Sequence, residues 1–335
     1  MRPNRGGRYR VCMDWTADVS AGDWIAERID DPWRGTIHDV VPRGFPAYAR
    51  VLHPVTRERP VGREWPADDD PSAWEAFLAE AREVDVAPVT WGEVAEAFGT
   101  RMHPLAQWGR LVGSDPHANR YGSPRDADGW RYDEPREGQL EPEAWTALAR
   151  ALTRHSAGED AFLAVWAGWG GLVGGMRYGP SRVLLEADAD AQHAAFLAHA
   201  ARDVFNDVFR KPTWQPGTLS DEISRGPRLH LPHREFVLFR GEISELEDPH
   251  WPGRMPWRDA DRAGSGLPEA ESPGVVWPAD RAWVVVSEVD WDSTVVGGSR
   301  ELIADVLAAP GLDAVALPPD ADLSWDGDRE NRPVQ

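Results

Sequence analysis

Residues 277–307 read WPADRAWVVVSEVDWDSTVVGGSRELIADVL, a stretch in which strand, turn, helix cap and charge pattern stand together. From Trp283 to Trp291 the side chains of Trp283, Val285, Ser287, Val289 and Trp291 share one face of an extended chain. Val284, Val286, Glu288, Asp290 and Asp292 share the other. Both faces are apolar at the start, so the alternation predicts a strand buried on two sides in its first half. Three carboxylates then turn to one side. Asp292-Ser293-Thr294 and Gly297-Gly298 carry turn chemistry, and Ser299 is placed to cap a helix whose buried stripe is Leu302, Ile303, Val306 and Leu307. Pro310-Gly311 stops that helix, and 314–317 reads as a further strand. Strand, helix and strand in this order predict parallel strands lying side by side.

Outward from this stretch, 161–166 reads as a buried strand leading into the glycine-rich 168–175, with a strand at 182–186 and the longest helix at 190–209. Residues 228–231 and 235–239 form a pair of strands bent at Pro232. Towards the N-terminus, Ser20 precedes a helix carrying Trp24, Ile25 and Ile29 inward, and 47–55 alternates as a strand closed by Pro54. Ser72 is read as the cap of a helix bearing Trp74, Phe77 and Leu78, and Thr90 with Glu93 as a capping box for a helix through Phe98. Pro142 suits the first position of a helix with Trp145, Leu148, Ala149 and Leu152 on its inner face. Residues 113–141 show no periodicity, and their aromatics, Tyr121, Trp130 and Tyr132, predict an ordered flap.

These elements predict a mixed α/β fold with a partly parallel central sheet, flanking helices and an N-terminal lobe of helices plus a strand. The expected divisions are an N-terminal lobe at 1–112, a long irregular loop at 113–141, an α/β core at 142–318 and a solvated acidic tail at 319–335. The chain of 335 residues, 41% hydrophobic, has enough apolar material for a core. Its formal net charge of −20 disfavours nucleic-acid partners, since affinity for phosphate backbones rests on cations. The lone Cys12 excludes an intramolecular disulfide framework and points to a reducing compartment. The longest uncharged run, 161–176, has 16 residues with five glycines and falls short of the ~20 apolar residues of a membrane span. A soluble cytoplasmic protein without membrane or nucleic-acid partners is expected.

Four segments together resemble an actinobacterial protein family of uncharacterised activity. They are Pro42, Gly44, Phe45, Ala47, Tyr48, Arg50, His53 and Pro54; Trp166, Gly168, Trp169 and Gly170; Leu231, Pro232, Arg234, Leu238, Phe239 and Gly241; and Trp277-Pro278-x-Asp280-Arg281-x-Trp283 with Glu288, Asp290, Thr294, Gly297 and Gly298. Ala167 stands where that pattern has an acidic residue, and Val276 where it has a Trp. The resemblance implies kinship of fold and brings no chemistry with it.

Two groups of candidate site residues follow. Glu288, Asp290 and Asp292, at i, i+2 and i+4 on one strand face, can gather a hard divalent cation such as Mg²⁺ or Ca²⁺ through oxygen ligands. Carboxylates at a strand's end also serve as its solvated rim. The 18 tryptophans form the other anomaly. Those on helix faces are core, whereas Trp130, Trp166, Trp169, Trp257 and Trp277 lie in or beside irregular stretches, where they either line a binding groove or pin loops. His230, His233 and Glu235 have the residue types of a zinc site, although an extended chain sends the two histidines to opposite faces. The glycines at 168–175 lack the third glycine of a dinucleotide fingerprint, because Val173 stands there, and the only lysine is Lys211. No Gly-x-Ser-x-Gly elbow and no His-Glu-x-x-His helix occurs. The leading expectation is a non-catalytic recognition protein that binds a protein or small-molecule ligand through Trp-lined loops. Its rivals are a metal-dependent hydrolase using the carboxylate trio and an acidic polyanion mimic that blocks a basic partner.

Overall fold

The computed structural model describes residues 13–30, 34–80, 83–114, 123–158, 160–177, 212–232 and 234–332. Residues 1–166 with 228–335 group into one unit, and 167–227 into a second. The first unit opens with β1 (Met13–Trp15), α1 (Asp23–Ala26), β2 (Ala47–Leu52), β3 (Val55–Pro60) and α2 (Pro71–Ala79). It continues through β4 (Val84–Val89), α3 (Trp91–Phe98), α4 (Trp108–Leu111), β5 (Arg131–Tyr132), α5 (Pro142–Arg154) and β6 (Asp160–Trp166). The second unit holds β7 (Gly175–Arg177), β8 (Thr213–Gln215) and α6 (Asp221–Arg225). The chain returns to the first unit with β9 (Leu229–Leu231), β10 (Arg234–Glu242), β11 (Val275–Pro278), β12 (Val284–Val286), β13 (Ser293–Gly298), α7 (Arg300–Leu307) and β14 (Asp313–Leu317). The strand at 182–186 and the helix at 190–209 lie outside the described residues.

The main sheet runs β1-β10-β6-β11-β12-β13-β2-β14, with β9 also paired to β10. The expected partly parallel sheet is corrected here, because every described pairing is antiparallel. The reason lies in β2. Strands β13 and β14 do run in the same direction around α7, but each pairs antiparallel with β2, which lies between them. A local strand-helix-strand pattern reports the crossover; it carries no signal for a strand from more than 200 residues away filling the gap.

The strand expected at 283–291 is also shorter than its alternation suggests. β12 ends at Val286, and the chain turns through 287–292 and returns as β13, with Val285 opposite Val296. The Gly297-Gly298 pair, expected as a turn, is therefore buried strand. A Cβ on Gly297 would lie 2.8 Å from Tyr48 and one on Gly298 would lie 2.6 Å from Leu302, so glycine is required for close packing rather than for turning.

Local signals hold better. Thr90 and Glu93 form the capping box of α3, and Ser299 accepts from the Leu302 amide at the start of α7. Leu302, Ile303 and Val306 are buried beneath α7, each such side chain contributing about 1.5–3 kcal/mol by leaving water, whereas Leu307, expected in the same stripe, is 39% exposed at the helix end. The cap of α2 is Asp70 rather than Ser72, with Pro71 taking the first helical position.

At His53-Pro54 the chain leaves the main sheet, and β3 opens a smaller one ordered β4-β3-β5. Trp91, Trp108, Leu111 and Tyr132 pack a second core cluster around it. Of the loop expected at 113–141, Arg131 and Tyr132 are sheet, with Tyr132 opposite Arg57, and Tyr121 lies outside the described residues. The acidic segment after Pro318 packs into the body instead of standing free in solvent, since Ala321 and Leu323 are buried in the main core and Asp328 is 0% exposed. No described helix is long and apolar enough to cross a membrane.

Candidate functional site

Arg50 forms the floor of the site. Its position in β2 buries it to 1% exposure, and its guanidinium donates to Ser293 Oγ at 2.8 Å, to the Ala106 carbonyl at 2.6 Å and to Asp292 Oδ1 at 3.0 Å. Burial disfavours its charge, while Asp292 and Asp328 favour it. A buried cation so paired draws three segments together: the β2 strand, the chain before α4 and the end of the 287–292 turn.

Asp328 locks the C-terminal segment against the same floor. It accepts from His103 Nε2 at 2.8 Å, from the Gln107 amide at 3.1 Å and from the Asn331 amide at 3.0 Å. Burial alone would raise its pKa, but these bonds outweigh it and hold the carboxyl below its ordinary value. Upstream of it, the Trp325 ring lies against Gly109, where an added Cβ would come within 2.7 Å. The Arg110 guanidinium covers Trp325 at 4.4 Å from the ring centre.

The opposite wall is set by Gly138. Its φ of +64° is a conformation only glycine adopts without strain, and its amide donates to the Trp291 carbonyl at 2.8 Å. The preceding residue, Glu137, is thereby held beside the 287–292 turn. Its carboxyl is raised above the usual value by burial first, then by the charges of Asp290, Asp292 and Glu134.

Behind this wall His53 orders a second network. Burial holds its pKa down to about 4, so the ring is neutral at pH 7. Nδ1–H donates to the Arg136 carbonyl at 2.5 Å, which leaves Nε2 to accept from Thr294 Oγ1 at 2.9 Å. The Thr294 oxygen then accepts the Ser287 hydroxyl at 2.5 Å, and the direction of the whole chain is fixed. Ser287 is 2% exposed, so its hydroxyl is a packing element here and not a presented nucleophile.

Between these walls lies a groove of about 1250 Å³. Trp108, Trp291 and Trp325 give it aromatic surface. Among the described residues, six carboxylates and two arginines line it. Three of the carboxylates are neutralised: Asp68 by Arg125, Asp292 by Arg50, and Asp290 by Arg234 at 2.7 Å. The other three, Asp69, Glu134 and Glu137, have no ion-pair partner among the described residues.

Of the residues singled out from sequence, only Asp290 and Asp292 border this groove. Glu288 and Asp290 share one Arg234 nitrogen, at 2.8 and 2.7 Å, and Asp292 is held by Arg50, so a guanidinium takes one oxygen of each carboxylate expected to hold a divalent cation. Among the described residues no cluster of three or more His, Cys, Asp or Glu is arranged to hold a metal ion. Trp257 and Trp277 are each 1% exposed. Trp257 donates to the Glu271 carbonyl, and Trp277 stacks on Phe162 at 5.5 Å, so both are core. Trp130 is half-buried between the guanidiniums of Arg57 and Arg59, 4.6 and 4.5 Å from its ring centre. Trp166 is half-buried with Arg234 at 5.3 Å, and Trp169 is half-buried in the second unit. His230 and Glu235 are both exposed and 3.4 Å apart, and His233 lies outside the described residues.

Trp108, Trp291, Trp325, Arg50 and Glu137 escaped the sequence reading. Trp291 looked like the end of a strand and Trp325 like part of a solvated tail, and Gly138 lay in a stretch without periodicity. Comparison with family models, with curated proteins and with solved structures finds no match for this chain.

Proposed function

We propose that this chain is a recognition protein that holds a ligand in the groove between the 287–292 turn, the 134–138 segment and the C-terminal segment, without making or breaking covalent bonds in it. The observation that carries this is the groove itself, at about 1250 Å³ with three tryptophans in its walls. Indole rings bury large areas and are strong anchors at binding surfaces. The rigid supports beneath, Arg50 and Gly138, suit a preformed site. A cytoplasmic setting accords with the lone Cys12.

The test is a thermal-shift screen of defined oligosaccharides, nucleosides and twelve-residue peptides, followed by titration of each hit. Hits are expected to lose about tenfold or more in affinity in Trp291→Ala and in Trp325→Ala, and to keep it in Trp130→Ala. Hits that bind both groove variants as well as the parent would sink the reading. A metal-dependent hydrolase would be favoured instead if Mg²⁺ or Ca²⁺ raised the melting temperature of chelator-treated protein and Asp290→Asn abolished the rise.

A further inference from the structure

We infer that the groove's ligand is a basic peptide segment, whose arginine or lysine side chains pair with Asp69, Glu134 and Glu137 between the Trp291 and Trp325 rings. The inference rests on the groove being the ligand site. It comes from the charge left over once the internal ion pairs are drawn.

Both arginines among the described groove residues are already engaged. Arg50 is held by Asp292 and by backbone carbonyls, and Arg125 donates to Asp68 and to the Pro66 carbonyl. Among the described residues, an anionic ligand therefore meets three carboxylates without an ion-pair partner and no guanidinium free of one. A neutral ligand that fills the groove strips water from those carboxylates and returns nothing, which costs free energy for each charge left without a partner. A cationic ligand supplies the missing charges and offsets the negative charges of Asp290, Asp292 and Glu134 that, after burial, lift the Glu137 carboxyl.

The aromatic surface fits the same chemistry. Trp325 already carries the Arg110 guanidinium at 4.4 Å, and cations are drawn to indole faces. Size selects a peptide over a single amine. Small-molecule sites measure roughly 300–1000 Å³, and this groove, at about 1250 Å³, is larger. Trp108, 6% exposed, adds a third indole to the groove wall.

A protein of net charge −20 attracts any polycation, so the experiment must separate the groove from the general surface. A fluorescein-labelled peptide of six Arg-Gly repeats is titrated by polarisation against the intact chain at two ionic strengths. The same peptide with citrulline for arginine serves as the isosteric neutral probe, and spermine as competitor. Two triple variants are compared: Asp69→Asn with Glu134→Gln and Glu137→Gln in the groove, and Asp14→Asn with Glu222→Gln and Asp261→Asn at exposed positions that do not line it. The arginine peptide is expected to bind, to weaken at least tenfold in the groove triple, and to change less than twofold in the remote triple. Equal weakening in both triples would overturn the inference as general polyanion attraction, and spermine binding more tightly than the peptide would overturn the peptide class. Equal binding of the citrulline peptide, or groove binding confined to neutral hits sensitive to Trp291→Ala, would overturn the cation class while leaving the groove as the site. Failure of every probe, charged and neutral, would remove both.

Discussion

The Gly138 amide donates to the Trp291 carbonyl at 2.8 Å, and this contact fixes the distance between the two acidic walls of the groove. It exists because a glycine at φ +64° lets the backbone lie directly on the 287–292 turn. A Cβ there would stand 2.6 Å from Val289 Cα.

Gly138→Ala is accordingly expected to destabilise the fold by about 2 kcal/mol or more, from left-handed strain and the backbone clash together. Urea unfolding at pH 7 measures it. A variant within 0.5 kcal/mol of the parent would mean that the 134–138 segment is not docked on the turn.

Removing the Arg50 fan should be more damaging. Arg50→Met leaves Asp292 and two carbonyls without their donor, and breaking a buried ion pair from one side costs about 3–5 kcal/mol. Arg50→Lys keeps the charge but not the geometry that reaches Ser293, Ala106 and Asp292 at once, so it should recover only part of the loss. Full recovery by lysine would show that charge alone matters here.

His53 makes a pH prediction whose sign follows from its burial. Its pKa in the folded chain, about 4, lies below the ordinary 6.5, so the unfolded chain binds the extra proton first as pH falls. The resulting loss of stability begins near pH 6.5, grows to about 3 kcal/mol at pH 4 and levels off below that. Carboxylates such as Asp328 lose stability in acid as well, so the measurement is a difference: His53→Asn should be less stable than the parent at pH 7 but lose less between pH 7 and pH 4.5. Parallel pH profiles for the two proteins would refute the assignment of a neutral, buried ring.

Asp328 ties the C-terminal segment to the body, and Asp328→Ala leaves the His103 ring, the Gln107 amide and the Asn331 amide without their acceptor. A cost of about 3 kcal/mol is expected, together with rapid protease cleavage after residue 318. Trp325 would leave the groove with that segment, so probes of the groove should weaken in parallel. An unchanged cleavage pattern would show that other contacts suffice to hold the segment.

Much of the local structure was legible in the sequence. The Thr90–Glu93 capping box and the Ser299 cap rest on interactions between residues a few positions apart, and the inner face of α5, most of that of α7 and the strand β6 show in the periodicity of their own residues. The glycines at 297 and 298 were misread because glycine marks turns and close packing alike, and the strand that crowds them belongs to Tyr48 on another part of the chain.

The acidity, the single thiol and most helix starts were determined by the sequence alone, since composition and short-range capping need no partner from elsewhere. The antiparallel sheet order, the neutralisation of Asp290 and Asp292 and the groove itself were decided by tertiary structure. Arg50 meets Ser293 across 243 positions of sequence, and Gln107 meets Asp328 across 221. A carboxylate reads the same in sequence whether a guanidinium waits for it or not; which of the six groove acids remain unpaired depends on contacts that form only when these distant segments close on one another.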